Sequence, residues 1–431
     1  MVDHIIKEKN TLYAPKFGDS WEEQFLYPLA DWVNGMAFKD FYFTPSGKPV
    51  IKIAEIKNGI SNQTKFTDGR YDEVYLLKKG DMLFCWSGQP ETSIDIFWWN
   101  GPEGWLNQHI FKVCPKIENK IFFFYLLKYL KPNFVQIAIN KQTTGLGHVT
   151  KGDLERFVVK LPIPEEQRAI AAMLLSLDGK IELLREQNKT LEATAQAIFK
   201  EWFVSFNFPD KKGKPYKKSG GKMINSELGE IPEGWRAGRI KDLINIFSGF
   251  AFASSDFIQD GKYKLVTIKN VQDRYFDQEI KDTLDNLPSK MPSYCNLKTG
   301  DILLSLTGNV GRICLVAGEN YLLNQRVAKL EPINTNDRAF SYLLFLQNFI
   351  FSLLQSTASG TAQQNLSPVL TKEIEIVIPS RKVLDSFGSL VNPMVEKINF
   401  NNSQIQTLSK LRDTLLPKVM KGEVRIKEFE G

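Results

Sequence analysis

The chain repeats itself once, and this repeat strongly limits the folds open to it. Leu106-Asn107-Gln108 recurs as Leu323-Asn324-Gln325, and Tyr125-Leu126-Leu127 recurs as Tyr342-Leu343-Leu344, both at an offset of 217 residues. Nearer the N-terminus the offset drifts between 212 and 220, but the matched blocks keep their order: Trp21 with Trp235, Gly35-x-Ala37-Phe38 with Gly249-x-Ala251-Phe252, Ile56-Lys57-Asn58 with Ile268-Lys269-Asn270, and Leu77-Lys78-x-Gly80-Asp81 with Leu297-Lys298-x-Gly300-Asp301. Each repeat ends in a long helix-forming stretch. The sequence therefore predicts two similar globular units, each leading into a long helix.

Size and charge are those of an ordinary folded protein. The chain has 431 residues, enough for two or three domains, with 43% hydrophobic and 24% charged residues. A net charge of +6 is compatible with a polyanionic partner and equally with a slightly basic protein that has none. Residues 1–10 are charged and lack an apolar core, so no signal peptide is expected. The longest apolar runs are shorter than a bilayer span, and we therefore expect a cytoplasmic protein without a membrane segment.

Short β-rich runs, turns and helices alternate in a pattern that predicts an α+β fold with two similar mixed α/β domains. In the first unit, strands are predicted at Val50–Ile56, Glu73–Leu77, Asp81–Trp86 and His109–Val113, followed by a helix at Ile121–Leu130. The predicted organisation comprises a first globular unit at 1–163, a central long helix at 164–203, a Lys/Gly-rich linker at 204–231, a second globular unit at 232–380 and a C-terminal long helix at 381–425. The linker is expected to be exposed and flexible.

Both long helices carry a heptad seam of apolar residues with one asparagine in it, Asn188 in the first and Asn401 in the second. Setting these two asparagines against each other in an antiparallel coiled coil fixes the other layers, which then pair Leu184 with Ile405 and Leu191 with Ile398. Arg412 falls at a core position in this register, and Pro393 is expected to kink the second helix. The alternative is that each helix packs on its own globular unit.

Recognisable catalytic motifs are missing from the sequence. It contains no P-loop, no GxSxG or HExxH segment, and no Asn-Pro-Pro-Tyr or Asp-Pro-Pro-Tyr segment of the kind used by amino-methylating DNA enzymes. The chain has three histidines, and its four cysteines form no CxxC pair. We therefore expect no catalytic residue, no zinc site and no disulfide framework.

Several segments resemble those of type I restriction-modification specificity subunits. The second unit opens with Glu227-Leu228-Gly229-Glu230-Ile231-Pro232-Glu233-Gly234-Trp235 and continues with Gly308-x-x-Gly311 and Gly360-Thr361-x-Gln363-x-Asn365-Leu366-Ser367 in that family's order. Pro162-x-Pro164-x-Glu166-Gln167 and Phe199-x-x-Trp202-Phe203 flank the central helix in the same way. The resemblance covers nearly the whole chain. The first unit departs most, because His148-Val149-Thr150 stands where the second has Asn365-Leu366-Ser367.

This resemblance implies a DNA-recognition role without catalysis. Each globular unit is then a target-recognition domain that reads one half of a bipartite site in double-stranded DNA, and the coiled coil sets the spacing. The resemblance also implies two methyltransferase subunits docked on the coiled coil and restriction subunits recruited to the assembly. S-adenosylmethionine and ATP are expected on those partner subunits, and no cofactor is expected in this chain.

The repeat also supplies candidate DNA contacts, because matched blocks are joined by segments of unequal length. Divergent loops on a duplicated scaffold are what two different half-sites require. Polar residues in or beside these loops are candidates for base contacts: Asn62, Gln63, Lys65, Arg70 and Gln89 in the first unit, and Gln272, Arg274, Asn309 and Arg312 in the second. Lys57, Lys151 and Lys269 are better suited to phosphate contacts. The repeated Asn107-Gln108 and Asn324-Gln325 pairs favour a structural hydrogen-bonding role.

Two other functional classes remain open from the residues alone. One is a self-sufficient DNA methyltransferase or nuclease with unrecognised motifs, which binding of S-adenosylmethionine by the isolated chain would reveal. The other is a two-headed protein-binding scaffold without a DNA role. DNA binding that weakens steeply with salt distinguishes the leading interpretation from the scaffold.

Overall fold

The computed structural model describes residues 16–142, 145–358 and 364–425. The chain divides into two compact units, the first formed by residues 1–179 with 408–431 and the second by Lys180–Thr407. The division therefore runs through both long helices. The N-terminal part of the central helix and the C-terminal part of the last helix belong to the first unit.

The first unit contains short strands around one buried helix. Its strands are β1 (Glu22–Phe25), β2 (Ala30–Asn34), β3 (Lys48–Ile51), β4 (Phe66–Thr67), β5 (Leu76–Leu77), β6 (Met82–Cys85), β7 (Ser87–Gly88), β8 (Asp95–Trp98), β9 (Gly104–Leu106), β10 (Ile110–Pro115), β11 (Gly147–His148) and β12 (Val158–Leu161). Its helices are α1 (Ile53–Asn58), α2 (Pro90–Ser93), α3 (Lys120–Asn140) and α4 (Lys151–Arg156), and the central long helix α5 (Pro164–Phe199) begins here.

Two four-stranded sheets organise this unit. The main sheet has the order β2-β10-β6-β8 and is antiparallel throughout, whereas the sheet β4-β3-β9-β5 contains a parallel β3–β9 pair. Helix α3 packs on the main sheet and buries Phe122, Phe123 and Phe134 in one apolar cluster. Ile170 and Leu174 of α5 join the same cluster, so the start of the long helix is part of the core of the first unit.

The second unit repeats this plan. Its strands are β13 (Met223–Ser226), β14 (Gly229–Pro232), β15 (Arg236–Arg239), β16 (Ile244–Ser248), β17 (Tyr263–Val266), β18 (Thr283–Leu284), β19 (Asn296–Leu297), β20 (Ile302–Ser305), β21 (Ile313–Leu315), β22 (Tyr321–Leu323), β23 (Val327–Pro332) and β24 (Glu375–Ile378). Its helices are α6 (Arg338–Phe345), α7 (Asn348–Thr357), α8 (Pro368–Lys372) and α9 (Arg381–Met420), together with the end of α5. The sheets β16-β23-β20-β21 and β18-β17-β22-β19 have the same strand order as their counterparts.

A close backbone crossing explains one of the repeated glycines. A Cβ atom on Gly35 would lie 2.1 Å from the carbonyl oxygen of Asn107, and one on Gly249 would lie 2.2 Å from that of Asn324. Both distances are far below van der Waals contact, so only glycine fits. The asparagines contribute through their backbone at this crossing, which agrees with a structural role for the repeated Asn-Gln blocks.

The two long helices contact each other within each unit. In the second unit, Asn401 Nδ2 donates to Asn188 Oδ1 at 2.8 Å, and Asn188 Nδ2 donates to Asn402 Oδ1 at 2.8 Å. The rings of Trp202 and Phe387 lie 5.6 Å apart, so the helices run antiparallel there. The predicted layer residues Leu184 and Ile398 are buried, whereas Leu191 and Ile405 are half-buried.

In the first unit, Arg412 has a partner that the heptad pattern did not supply. Its Nη1 donates to Asp178 Oδ1 at 2.6 Å, and Tyr125 donates its hydroxyl to Asp178 Oδ2 at 2.7 Å. The arginine at a core position is therefore neutralised by a neighbouring carboxylate. Apolar packing on each unit accompanies this helix pairing, so the two arrangements considered from the sequence occur together.

Three local predictions were wrong. The strand predicted at Val50–Ile56 ends at Ile51, and α1 follows because Glu55 Oε2 accepts from the backbone N–H of Lys52 at 3.1 Å and closes the first turn. The linker at 204–231 contains the β13–β14 hairpin, and Phe208 stacks on Trp235 at 5.1 Å. The strand predicted at Glu73–Leu77 is limited to Leu76–Leu77, because Glu73–Tyr75 form a 3-10 helix. Helix α9 continues through Pro393 from Arg381 to Met420, and the kink expected there stays a prediction.

The apolar helices are buried within the units. All seven residues of Ala339–Phe345 in α6 are buried. Within the described ranges, no single helix is both long and apolar enough to cross a bilayer. One pair of helical segments, Thr335–Phe345 and Asn348–Thr357, meets the length and composition requirement only if the two are joined across a 75° bend.

Candidate nucleic-acid interface

The first unit presents four of the predicted base contacts on the segment that follows α1. Asn62, Gln63 and Lys65 lie between α1 and β4, Arg70 follows β4, and all four are exposed. The segment is anchored to α1, because the buried carboxylate of Glu55 accepts a hydrogen bond from Thr64 Oγ1 at 3.1 Å. It is thus an anchored loop with outward polar side chains.

Lys57 and Gln89 meet at helix α2. Lys57 Nζ donates to the carbonyl oxygen of Thr92, and Thr92 Oγ1 lies 3.5 Å from Gln89 Oε1. Lys151 lies at the start of α4, with its Nζ 5.2 Å from the ring centre of Tyr27 and 3.6 Å from Glu155. The three side chains are exposed, yet each already has an intramolecular partner.

In the second unit, most of the residues predicted to contact DNA are hydrogen-bonded to one another. Arg312 Nη1 donates to Gln272 Oε1, and Gln272 Nε2 donates to the carbonyl oxygen of Lys269 at 2.6 Å. Lys269 and Asn309 are exposed, and Asn309 lies in the turn between Gly308 and Gly311. The structure therefore brings Lys269, Gln272 and Arg312 together.

Arg274 has a different position from the one the loop argument suggested. Its Nε lies 3.2 Å from Glu192 Oε1 of α5, and its backbone N–H donates to the Ile313 carbonyl at 2.8 Å. Burial raises the pKa of Glu192, and Arg274 opposes that rise. Arg274 thus connects the segment between β17 and β18 to the long helix, and its guanidinium is already paired.

A second polar group in the first unit was not singled out from the sequence. It lies at one end of the main sheet, where β2 and β6 end and β10 begins, and we call it the sheet-end cluster of the first unit: Asn34, Trp86, Gln108, His109 and His148. Trp86 Nε1 donates to Asn34 Oδ1 at 3.0 Å, and its ring lies 5.9 Å from that of His109. Gln108 Nε2 lies 3.2 Å from His109 Nε2, and His148 pairs with Ser87 across β11 and β7.

The second unit has a cleft of about 610 Å³ at the same end of its main sheet, lined by Ser248, Gly249, Leu306, Thr307, Gln325, Arg326, Asn365, Leu366, Ser367 and Pro368. An isolated bridge between Thr307 and Asn365 replaces the β7–β11 pair. Residues 360–363 of the predicted Gly360–Ser367 motif lie outside the described residues.

Backbone hydrogen bonds show that these two surfaces are equivalent. The N–H of Trp86 donates to the His109 carbonyl at 3.3 Å, and that of Leu306 donates to the Arg326 carbonyl at 2.9 Å. The N–H groups of Val149 and Leu366 donate to the carbonyls of Trp86 and Leu306 at 2.8 and 2.7 Å. The 217-residue offset, which pairs His109 with Arg326, is the signal in the sequence that could have identified this surface.

Within the described residues, no group of three or more His, Cys, Asp or Glu side chains has the arrangement of a metal site. The four cysteines are free thiols, and burial raises the pKa of Cys85 to about 12. The Cys85 thiol is therefore not activated. The described residues also contain no assembled set of metal ligands.

Comparisons with known proteins agree with this architecture. The family model for the type I restriction modification DNA specificity domain matches twice, at residues 18–193 and 232–385. The chain therefore belongs to that family. The MjaVIII specificity subunit of Methanocaldococcus jannaschii is 27% identical over 397 residues, covering 88% of this chain and 87% of its own. The HindI specificity subunit of Haemophilus influenzae is 24% identical over 405 residues, covering 81% and 87%.

A solved structure shares the fold. The crystal structure of a type I restriction-modification S subunit from M. genitalium is 18% identical and superposes with a TM-score of 0.57, covering 94% of this chain and 99% of that one. At this identity the likeness concerns the fold alone.

Proposed function

We propose that this chain is the DNA specificity subunit of a type I restriction-modification enzyme and is not itself catalytic. Each unit reads one half of a bipartite site in double-stranded DNA, and the paired helices α5 and α9 dock the methyltransferase subunits and set the spacing. The observation that carries the proposal is the duplicated scaffold, with the same strand order in both units and different polar side chains at the same end of the main sheet.

The proposed partners follow from family membership. We expect two methyltransferase subunits that bind S-adenosylmethionine and methylate adenine, and restriction subunits that use ATP, with the assembly acting in the cytoplasm. The chain contributes no cofactor site of its own to this scheme. Exposed apolar side chains on the long helices, such as Leu175, Leu183 and Phe400, supply surface for partner helices.

The test is purification of the tagged full chain from its native cell, followed by identification of bound proteins and mapping of methylated DNA sites. A co-purifying methyltransferase that methylates a split site supports the proposal. A chain that purifies alone and does not retain DNA favours the protein-binding scaffold. A chain that binds S-adenosylmethionine and methylates DNA unaided favours an enzyme.

A charge-reversal pair separates DNA contact from general charge effects. Arg70→Glu changes a candidate contact on the anchored loop, whereas Lys79→Glu makes the same charge change at the opposite end of β6 from the sheet-end cluster; both residues are exposed. The loop variant should weaken DNA binding by the complex more than Lys79→Glu does. Equal effects from both variants would contradict a localised interface.

A further inference from the structure

The cleft in the second unit has the chemistry of a base-reading site. Gln325, Arg326 and Asn365 line it and are exposed. Arginine pairs with the O6 and N7 acceptors of guanine, and Gln or Asn pairs with the N6 and N7 groups of adenine in the major groove. The guanidinium of Arg326 has no ion-pair partner among the described residues, so its donors are available to a ligand.

A buried polar atom in the same cleft lacks a partner. Thr307 is 8% exposed, and its Oγ1 has no hydrogen bond within the described parts of the chain. Leaving a buried hydroxyl unsatisfied is costly, and native structures rarely do so without a missing ligand or water. Thr307 is one of the residues that line the cleft, and an isolated backbone bridge pairs it with Asn365.

Three of the four loop residues predicted to read bases in the second unit are already paired. Gln272 and Arg312 bond to each other, and Arg274 pairs with Glu192 of α5. Reading a base edge with these side chains requires breaking existing contacts. The exposed side chains that line the cleft can contact a base edge without breaking such contacts.

The first unit changes the side chains at the matched positions while keeping the backbone. His109 replaces Arg326 and His148 replaces Asn365, although the backbone hydrogen bonds that hold the two surfaces are equivalent. Gln108 and Gln325 remain the same. Different side chains held by the same backbone arrangement are what two different half-sites require.

We propose that the cleft is the base-reading site of the second unit, that Arg326 contacts a guanine edge there, and that His109 and His148 occupy the equivalent reading positions in the first unit. This inference rests on the proposed DNA-specificity function. It moves the reading site from the loop residues predicted by the sequence to the end of the main sheet.

The test uses the complex purified with the full chain and maps its methylation sites on random-sequence DNA. Arg326→Ala should reduce discrimination at one base pair of one half-site by about 5- to 160-fold and leave the other half unchanged. His109→Ala should change only the other half. Lys298→Ala, at the opposite end of β20 from the cleft and also exposed, is the matched control and should preserve both halves.

Arg326→Lys keeps the charge but loses the planar fork, so it should retain overall DNA affinity while losing discrimination at the same position. If Arg326 contacts only phosphate, both variants keep full discrimination, and Arg326→Ala weakens binding to all sequences alike. That result overturns the inference. Relaxed specificity in Arg274→Ala, with none in Arg326→Ala, overturns it in favour of the loops.

The two proposals fail in distinguishable ways. A wild-type complex that neither methylates nor retains DNA contradicts the proposed function. A wild-type complex that reads a split site, combined with an Arg326→Ala variant of unchanged specificity, contradicts only the assignment of the cleft.

Discussion

The Asp178 carboxylate of α5 should stabilise the first unit through its contacts with α3 and α9. It accepts from the hydroxyl of Tyr125 at 2.7 Å and from Arg412 at 2.6 Å. Tyr125 is only 3% exposed, and burial together with Asp178 raises its pKa, so the hydroxyl remains a donor. Asp178→Ala leaves that donor without its partner.

The magnitude follows from the two contacts. An unsatisfied buried hydroxyl costs about 1–3 kcal/mol. The ion pair is about a third exposed on each side chain, and its loss adds about 0.5–1 kcal/mol. A total near 2–3 kcal/mol corresponds to about 30- to 150-fold in the unfolding equilibrium of the first unit, since 1.4 kcal/mol is about tenfold.

Hydrogen exchange measured by mass spectrometry on peptides covering 120–140 and 408–420 reports this unfolding. Exchange should accelerate by the same factor in Asp178→Ala. Tyr125→Phe removes only the donor and should accelerate it by about 5-fold. Asp413→Ala removes the exposed carboxylate that Arg412 Nη2 contacts at 2.8 Å and should change it little. Asp178→Ala exchange that matches Asp413→Ala, or stays within about threefold of wild type, would refute the reasoning.

Three further substitutions test the described packing. Gly35→Ala should prevent stable folding of the first unit, because its Cβ would lie 2.1 Å from a backbone carbonyl oxygen. Gly179→Ala in α5 places its Cβ where no atom lies within 4 Å, so it should stabilise the protein by about 1 kcal/mol. Equal thermal melts of the two variants would contradict this. Burial raises the pKa of Asp95, but two lysines outweigh it and the net pKa is lowered. Its contribution to stability is therefore full above the unfolded pKa of about 3.9 and is lost as pH falls through the folded value. Urea unfolding of Asp95→Asn should accordingly depend less on pH between about 5 and 3 than wild type, and identical slopes would exclude the idea. Replacing both Asn188 and Asn401 with leucine should leave the melting temperature equal or higher, since buried polar pairs set register more than stability; a lower value in calorimetry would show that the pair stabilises outright.

The repeat in the sequence was sufficient to predict the duplicated architecture, because strand order and the Gly35 crossing depend on residues that recur in both units. The contact between Asn188 and Asn401 in the paired helices was also predictable, since a heptad seam has a fixed period. The strand at Val50–Ile56 was misjudged because apolar residues fit either a strand or a short helix. The buried carboxylate of Glu55 favours the helix, because it accepts a hydrogen bond from the backbone N–H of Lys52.

The sequence could not place the candidate contacts. The pairing of Arg274 with Glu192 joins a loop to a helix far away in sequence, and no local pattern encodes such a contact. The sheet-end cluster poses the same difficulty, because strand pairing brings Asn34, Trp86 and His148 together from separate segments. The prediction relied on segments of unequal length in the two repeats, whereas the constant offset that pairs His109 with Arg326 could have identified the cleft.

The sheet-end cluster is assembled from segments that lie far apart in the sequence, and this affects how such a chain acquires a new DNA-sequence preference. Grafting one loop transfers only part of the set, because Asn34 and Trp86 precede the repeated Leu106-Asn107-Gln108 block and His109 and His148 follow it. Exchange of a whole unit passes the combination on intact. A crossover at the block itself would instead join two parental half-sets on an unchanged backbone, so that recombination inside a unit generates new combinations without redesigning the fold.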